Sequence, residues 1–171
     1  ELLARSMKQQ PSAIEDSLPF VRQTFELIGL AKVSTSAPEA QQLGLLRPHD
    51  RITMNRDRTI SDAKQFVLDL ARTGYQPPKV PTIKVGGAGV RAGLELGLHI
   101  AWRGGYISDH DATIGRKLAR ILSGGDVAHP TTVSEQHLLD LEREVFLSLC
   151  GEAKTLERIS HTLKTGKALR N

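Results

Sequence analysis

The chain has a single cysteine, Cys150, and only 4% aromatic residues. One thiol excludes a disulfide framework and suits a reducing compartment, so the expected setting is the cytoplasm. Scarce aromatics argue against an all-β sandwich and fit helices packed through Leu, Ile, Val and Ala. No stretch approaches the roughly 18 consecutive apolar residues that a membrane span needs, and no signal peptide is visible. The motifs G-x-S-x-G, H-E-x-x-H, C-x-x-C and the P-loop are also missing, as are internal repeats and low-complexity tracts. The basic residues have no interleaved aromatics and belong to no recognised binding motif, which argues against a nucleic-acid partner.

What is there describes an ordinary globular protein. The 171 residues suit one domain, or one with an appendage, and are 39% hydrophobic and 25% charged. The net charge is +4. Its basic side gathers between Arg116 and Arg170, where interspersed Asp and Glu make solvated helix faces the simplest reading. Such a bias also suits an anionic partner.

Apolar spacing predicts a mostly helical chain. Leu18, Val21, Phe25, Ile28 and Ala31 recur at i, i+3 and i+4 on one face. Ser36 and Glu39 form a capping box for a short helix ended by Gly44. Thr59 and Asp62 open a helix with Ile60, Ala63, Phe66, Val67 and Leu70 inward, closed by Gly74. Pro77, Pro78 and Pro81 then break the pattern, and residues 82–85 read as a short extended segment. Val90, Leu94, Leu98 and Ala101 follow at helical period. Ser108 and Asp111 cap a helix carrying Ile114, Leu118, Ile121 and Leu122, stopped at Gly124-Gly125. Thr132 and Glu135 are the box of a helix striped by Leu138, Leu141, Val145, Phe146 and Leu149. A last helix runs from about Ala153 to Lys164, with Gly166 as its stop.

Three patterns invite a chemical reading. VGGAGVRAG, residues 85–93, has the look of a dinucleotide-binding turn, but its spacing is G-x-G-x-x-x-G and no acidic strand end follows. A tight turn with close helix packing is the better account. Asp109, His110 and Asp111 are adjacent on a helix, where neighbours diverge, so they read as a polar first turn rather than a metal site. Asp140 and Glu144 could pair for acid/base work, yet Arg143 lies between them on a polar face. Cys150 sits in an apolar helical run and reads as a buried thiol.

Four segments together resemble the last third of a known enzyme type. They are KVSTSAPEAQQLGLL (32–46), ISDHDATIGRKLARILSGG (107–125), LLDLEREVFLSL (138–149) and GKALRN (166–171). The resemblance is to the bacterial fatty-acid β-oxidation enzymes in which a 3-hydroxyacyl-CoA dehydrogenase is followed by an enoyl-CoA hydratase (crotonase) region. It implies a mainly α, multi-helix C-terminal region whose catalytic β/α spiral core lies upstream of Glu1. On that reading residues 1–74 follow the catalytic core, 75–107 are a Pro/Gly-rich connector with an inserted helix, and 108–171 are a C-terminal helical domain. The stretch 75–137 is longer than in single-domain crotonases.

The resemblance further implies NAD and acyl-CoA as the parent's cofactor and substrate, the rest of the parent as partner, and homo-oligomer packing. It places no catalytic residue in this chain. Lys167, with Lys164 beside it, matches a lysine that contacts CoA, and Phe146 matches an aromatic near the CoA adenine. The chain opens on Glu1 rather than Met, in line with an expected fragment that is inactive alone. The contrasting expectation is a stand-alone helical interaction or CoA-binding module.

Overall fold

The computed structural model describes residues 1–8, 16–77, 79–80 and 82–171. Pro78 and Pro81, read above as pattern breakers, lie outside the described residues. The protein is mainly α: among the described residues there are eight α-helices and one two-stranded sheet. They fall into two compact units, one of residues 34–80 and a larger one of residues 1–33 and 81–171.

The larger unit is built from α1 (Leu2–Lys8), α2 (Leu18–Gly29), β1 (Thr82–Val85), α5 (Gly87–Arg103), α6 (Asp109–Leu122), β2 (Thr131–Ser134), α7 (Glu135–Cys150) and α8 (Ala153–Thr165). Its core joins Leu3 and Met7 of α1, Val21 of α2, Ile83 and Val85 of β1, Val90 and Leu94 of α5, and Ala119 and Leu122 of α6. In α2 the buried face is Val21, Thr24 and Leu27. Ile28 is 42% exposed, because the helix ends at Gly29 and Ala31 turns to a φ of +50°. The expected segment at 82–85 is indeed a strand. It pairs antiparallel with β2, Thr82 opposite Ser134 and Val85 opposite Thr131. That strand corrects one expectation: Thr132 lies in β2 rather than in a helix cap. The cap of α7 is Ser134, whose hydroxyl accepts from the His137 N–H at 3.1 Å. A hydroxyl residue three places ahead of a candidate donor occurs twice here, and sheet pairing selected the later one.

The glycines at 86–87 and 124–125 let β1, α5 and α6 meet closely. The Gly87 N–H donates to the Ser123 carbonyl at 3.0 Å. Gly87 has φ +64°, and a Cβ there would stand 2.8 Å from the His129 backbone. At Gly124, with φ +95°, a Cβ would come 2.5 Å from Val85. Val85 and Ser123 are accordingly among the most deeply buried side chains. VGGAGVRAG is thus a packing turn. The Gly87 N–H, the donor a phosphate would use, is already given to the Ser123 carbonyl.

The smaller unit holds α3 (Ala37–Gln42), a single 3₁₀ turn (Arg56–Arg58) and α4 (Thr59–Arg72). Ser36 caps α3 as expected, accepting from the Glu39 N–H at 3.3 Å. The Glu39 carboxylate reaches past the cap to the Thr35 hydroxyl and N–H, both at 2.6 Å, which hold its pKa below the usual carboxylate range. α4 has the predicted bounds but not the predicted inward face. It has no buried residue; Ile60 is 84% and Val67 63% exposed. Phe66 is half-buried, with the Arg51 guanidinium 4.3 Å from its ring centroid. Helical period reports that a face is apolar, not that this chain supplies its cover.

Two glycine substitutions two residues apart should act in opposite senses. Gly87→Ala forces a left-handed residue against backbone and is expected to lower the unfolding free energy by about 2 kcal/mol. Gly89→Ala meets open space inside a helix and should raise it by up to about 1 kcal/mol. Urea denaturation followed by circular dichroism measures both.

Candidate functional site

The larger unit contains a cleft of about 520 Å³ between α2, α5, α6 and the C-terminal residues 168–170. Each helix gives one stripe at helical spacing. From α2 come Arg22, Phe25, Glu26 and Gly29; from α5, Leu94, Gly97, Leu98 and Ala101; from α6, Asp111, Ile114, Gly115 and Leu118. Leu94, Leu98, Ala101, Ile114 and Leu118 are residues whose periodicity predicted an inward face. Leu94 serves the core, while the others are half-buried and border the cleft.

Glycines set the depth of the cleft. A Cβ at Gly115 would come 2.5 Å from Leu98 Cδ2, and one at Gly93 would come 2.7 Å from Leu18. A Cβ at Gly97 would meet nothing within 4 Å, so its absence leaves open volume.

One wall is closed by a polar clasp. Ser108 and Asp111 form the predicted capping box of α6. The Asp111 carboxylate uses both oxygens: Oδ2 accepts from the Ser108 N–H at 3.1 Å, and Oδ1 accepts from Arg158 Nη1 at 2.7 Å. Arg158, in α8, also donates through Nε to Asn171 Oδ1 at 2.8 Å and through Nη2 to the Asn171 carbonyl at 3.3 Å. Asn171 in turn donates to Glu157 at 2.7 Å. The segments ISDHDATIGRKLARILSGG and GKALRN, quoted above only as separate motifs, are joined through this one guanidinium. Arg158 and Asp111 are about four-fifths buried, at 19% and 22% exposure. Partial burial pushes the Asp111 carboxyl up, but the hydrogen bonds from Arg158 and the Ser108 N–H, with the Arg158 charge, outweigh it and hold its pKa below the ordinary value.

The other candidates separate. His110 is buried and its Nε2 lies 2.9 Å from the Thr155 hydroxyl, pinning α6 to α8. Its neighbour Asp109 accepts from the Trp102 indole at 2.6 Å. Asp140 accepts from Gln136 and Arg143, whereas Glu144 accepts from Arg120, so the two carboxylates do not act as a pair. Arg120 also holds Asp126, whose pKa it lowers, and Asp126 reaches Arg91. Lys164 and Lys167 are exposed at and beyond the end of α8. Phe146 is 58% exposed on α7, outside the core stripe predicted for it. Residue 146 is one position past Val145, and a single helical step of 100° turns it away from the face that Leu141 and Val145 bury. None of these three lines the cleft, although Lys167 directly precedes the residues that do. Arg22, Arg158 and Asn171 were not anticipated. The capping pattern at 108–111 was legible, but no local signal ties it to a residue 47 positions away.

Asp111 should contribute stability that is complete above the unfolded carboxylate pKa, about 4, and lost as the pH falls through its lower folded value. Arg158→Met is expected to lower the unfolding free energy at pH 7 by about 1–3 kcal/mol and to flatten that acid-side slope. Denaturant melts of both proteins between pH 3 and 7 would show it; parallel slopes would contradict the assignment.

No family model matches the chain, and no solved structure matches it at significance. Over 156 residues, 91% of its length, the chain is 46% identical to a protein of Bacillus subtilis (strain 168) described as a probable 3-hydroxyacyl-CoA dehydrogenase. The chain spans only about a fifth (20%) of that curated relative's length.

Proposed function

We propose that the chain is the C-terminal helical part of a fatty-acid β-oxidation enzyme, a 3-hydroxyacyl-CoA dehydrogenase followed by an enoyl-CoA hydratase region. The observation that carries this reading is the 46% identity along nearly the whole chain to about one fifth of a long protein with the dehydrogenase name. Chemistry-bearing motifs are absent, and the polar residues brought together at the clasp are committed to structural hydrogen bonds. The chain's role is to cover the acyl-CoA site of its parent and to supply packing or oligomer surface. The exposed stripe of α4, Ile60, Val67 and Leu68, is the kind of face such packing would use. In this reading residues 1–74 follow the catalytic core, 75–107 are the inserted connector and helix, and 108–171 end the enzyme. A cytoplasmic setting belongs to the same reading.

In the parent, NAD accepts hydride from the 3-hydroxyacyl-CoA. The glycine turn at 85–93 does not fit NAD: the Gly87 N–H that a pyrophosphate would need is already given to the Ser123 carbonyl. No step of this chain runs through it. CoA is a different matter. Lys164 and Lys167 are exposed flexible ammonium groups suited to phosphate, and the exposed ring of Phe146 is available for stacking.

The 171-residue chain is expected not to hydrate crotonyl-CoA, while the full-length parent does; hydration by the chain would overturn the capping role. Lys167→Ala and Lys164→Ala should each weaken CoA binding by up to about fivefold. Calorimetry showing unchanged affinity would remove the CoA assignment.

A further inference from the structure

We infer that residues 34–80 hold their fold only by docking the outer face of α4 on an apolar, acid-rimmed surface of the parent polypeptide upstream of Glu1. The unit has almost no core of its own: among its described residues Ala40 alone is buried. A unit below roughly 70 residues usually needs a disulfide, a metal or a partner to stay folded. The chain's one cysteine, Cys150, lies outside it, and no group of potential metal ligands occurs among the described residues. α4 itself has 14 residues, a length at which an isolated helix is marginal in water. What the unit lacks is a partner surface. On the reading proposed above the same polypeptide supplies it, since the chain spans 20% of its relative's length.

The two sides of α4 differ in chemistry, and the outer one sets the character of that surface. The inner side is already engaged: Asp62 accepts from the Thr53 hydroxyl at 3.3 Å, and Phe66 lies under the Arg51 guanidinium. Asp69, on the same side, pairs with Arg72. Steps of 100° per residue gather Ile60, Lys64, Val67, Leu68 and Ala71 on the other side, and all five are exposed. Neither acid of the helix is among them. Their one charge is Lys64, for which no ion pair is found among the described residues. A solvated helix face carries charges of both signs; four apolar residues around a single lysine make a face to be covered. The lysine stem lies along an apolar partner while its ammonium reaches a carboxylate at the edge. The covering surface is therefore aliphatic, with Asp or Glu at its rim. A nucleic acid or an anionic membrane asks for several cations on one side and finds one here.

Hydrogen–deuterium exchange of the 171-residue chain and of the full-length parent tests this docking. In the chain alone the α4 amides are expected to exchange at nearly the unprotected rate, while those of α5 and α6 are protected. In the parent, α4 should slow by about a hundredfold or more. Val67→Asp should cancel about tenfold or more of that slowing in the parent and leave the melting temperature of the chain alone unchanged. If that variant does not fold in the parent, Lys64→Glu decides: it should cut the α4 protection severalfold, and Lys64→Arg should keep it. Equal protection of α4 in chain and parent overturns the inference. So does protection in the chain alone that grows with its concentration, which would mean that a second copy covers the face. An active parent with unprotected α4 sinks this docking and leaves the enzyme reading standing. A natural product no larger than 18.7 kDa removes that reading, and the docking surface with it.

Discussion

The larger unit depends on the approach of Val85 to Gly124. At that point β1 ends, the chain turns through Gly86 and Gly87 into α5, and the end of α6 returns against it with a Gly87–Ser123 backbone hydrogen bond. Any side chain on Gly124 would enter the Val85 isopropyl group, and any on Gly87 would enter the His129 backbone. With those glycines, Ile83, Val85, Val90, Leu94, Ala119 and Leu122 share one core with α1 and α2. The short sheet stays paired, and α5 and α6 leave the junction side by side to wall the cleft. Burial of this kind dominates folding, at about 25 cal/mol per Å² of apolar surface, and it tolerates no added atoms here.

The clasp is a different sort of constraint. Arg158 is held by a carboxylate, an amide and a carbonyl, and it gathers the start of α6, α8 and the last residue into one wall. An ion pair of intermediate burial contributes modestly to net stability, but removing one partner leaves the other uncompensated. Its main effect is positional: it sets residues 168–170 beside the aliphatic cleft. Hydrophobic packing makes the two long helix walls, and directional hydrogen bonding makes the closing one.

The surface carries a related division. Arg120, Asp126, Arg91 and Glu144 satisfy one another across α5, α6 and α7, and with Arg143 on Asp140 and Arg158 on Asp111 three of the basic residues between Arg116 and Arg170 are paired with carboxylates. Lys164 and Lys167 are not drawn into that network. Their exposure fits a contact with an anionic group, while the balanced arginines serve the fold.

How much could be read without coordinates follows from the range of each interaction. Helix period, caps and stops act over three or four residues, so the bounds of α4, the capping box at Ser108 and Asp111, and the terminators Gly74 and Gly124 were legible. β2 was not, because four residues beside a capping pattern become a strand only when Thr131–Ser134 find β1, some fifty positions earlier. Apolar period likewise marked α4 and Phe146 without saying whether anything covers them, and both are exposed. The cleft lay half in view: Leu98, Ala101, Ile114 and Leu118 were recognisable as apolar stripes. That they border a cavity is set by the missing side chain of Gly97, the crossing of three helices, and an arginine 47 residues from its carboxylate. Local bonding is written in neighbouring residues; cavity shape and charge pairing exist only once distant segments have packed.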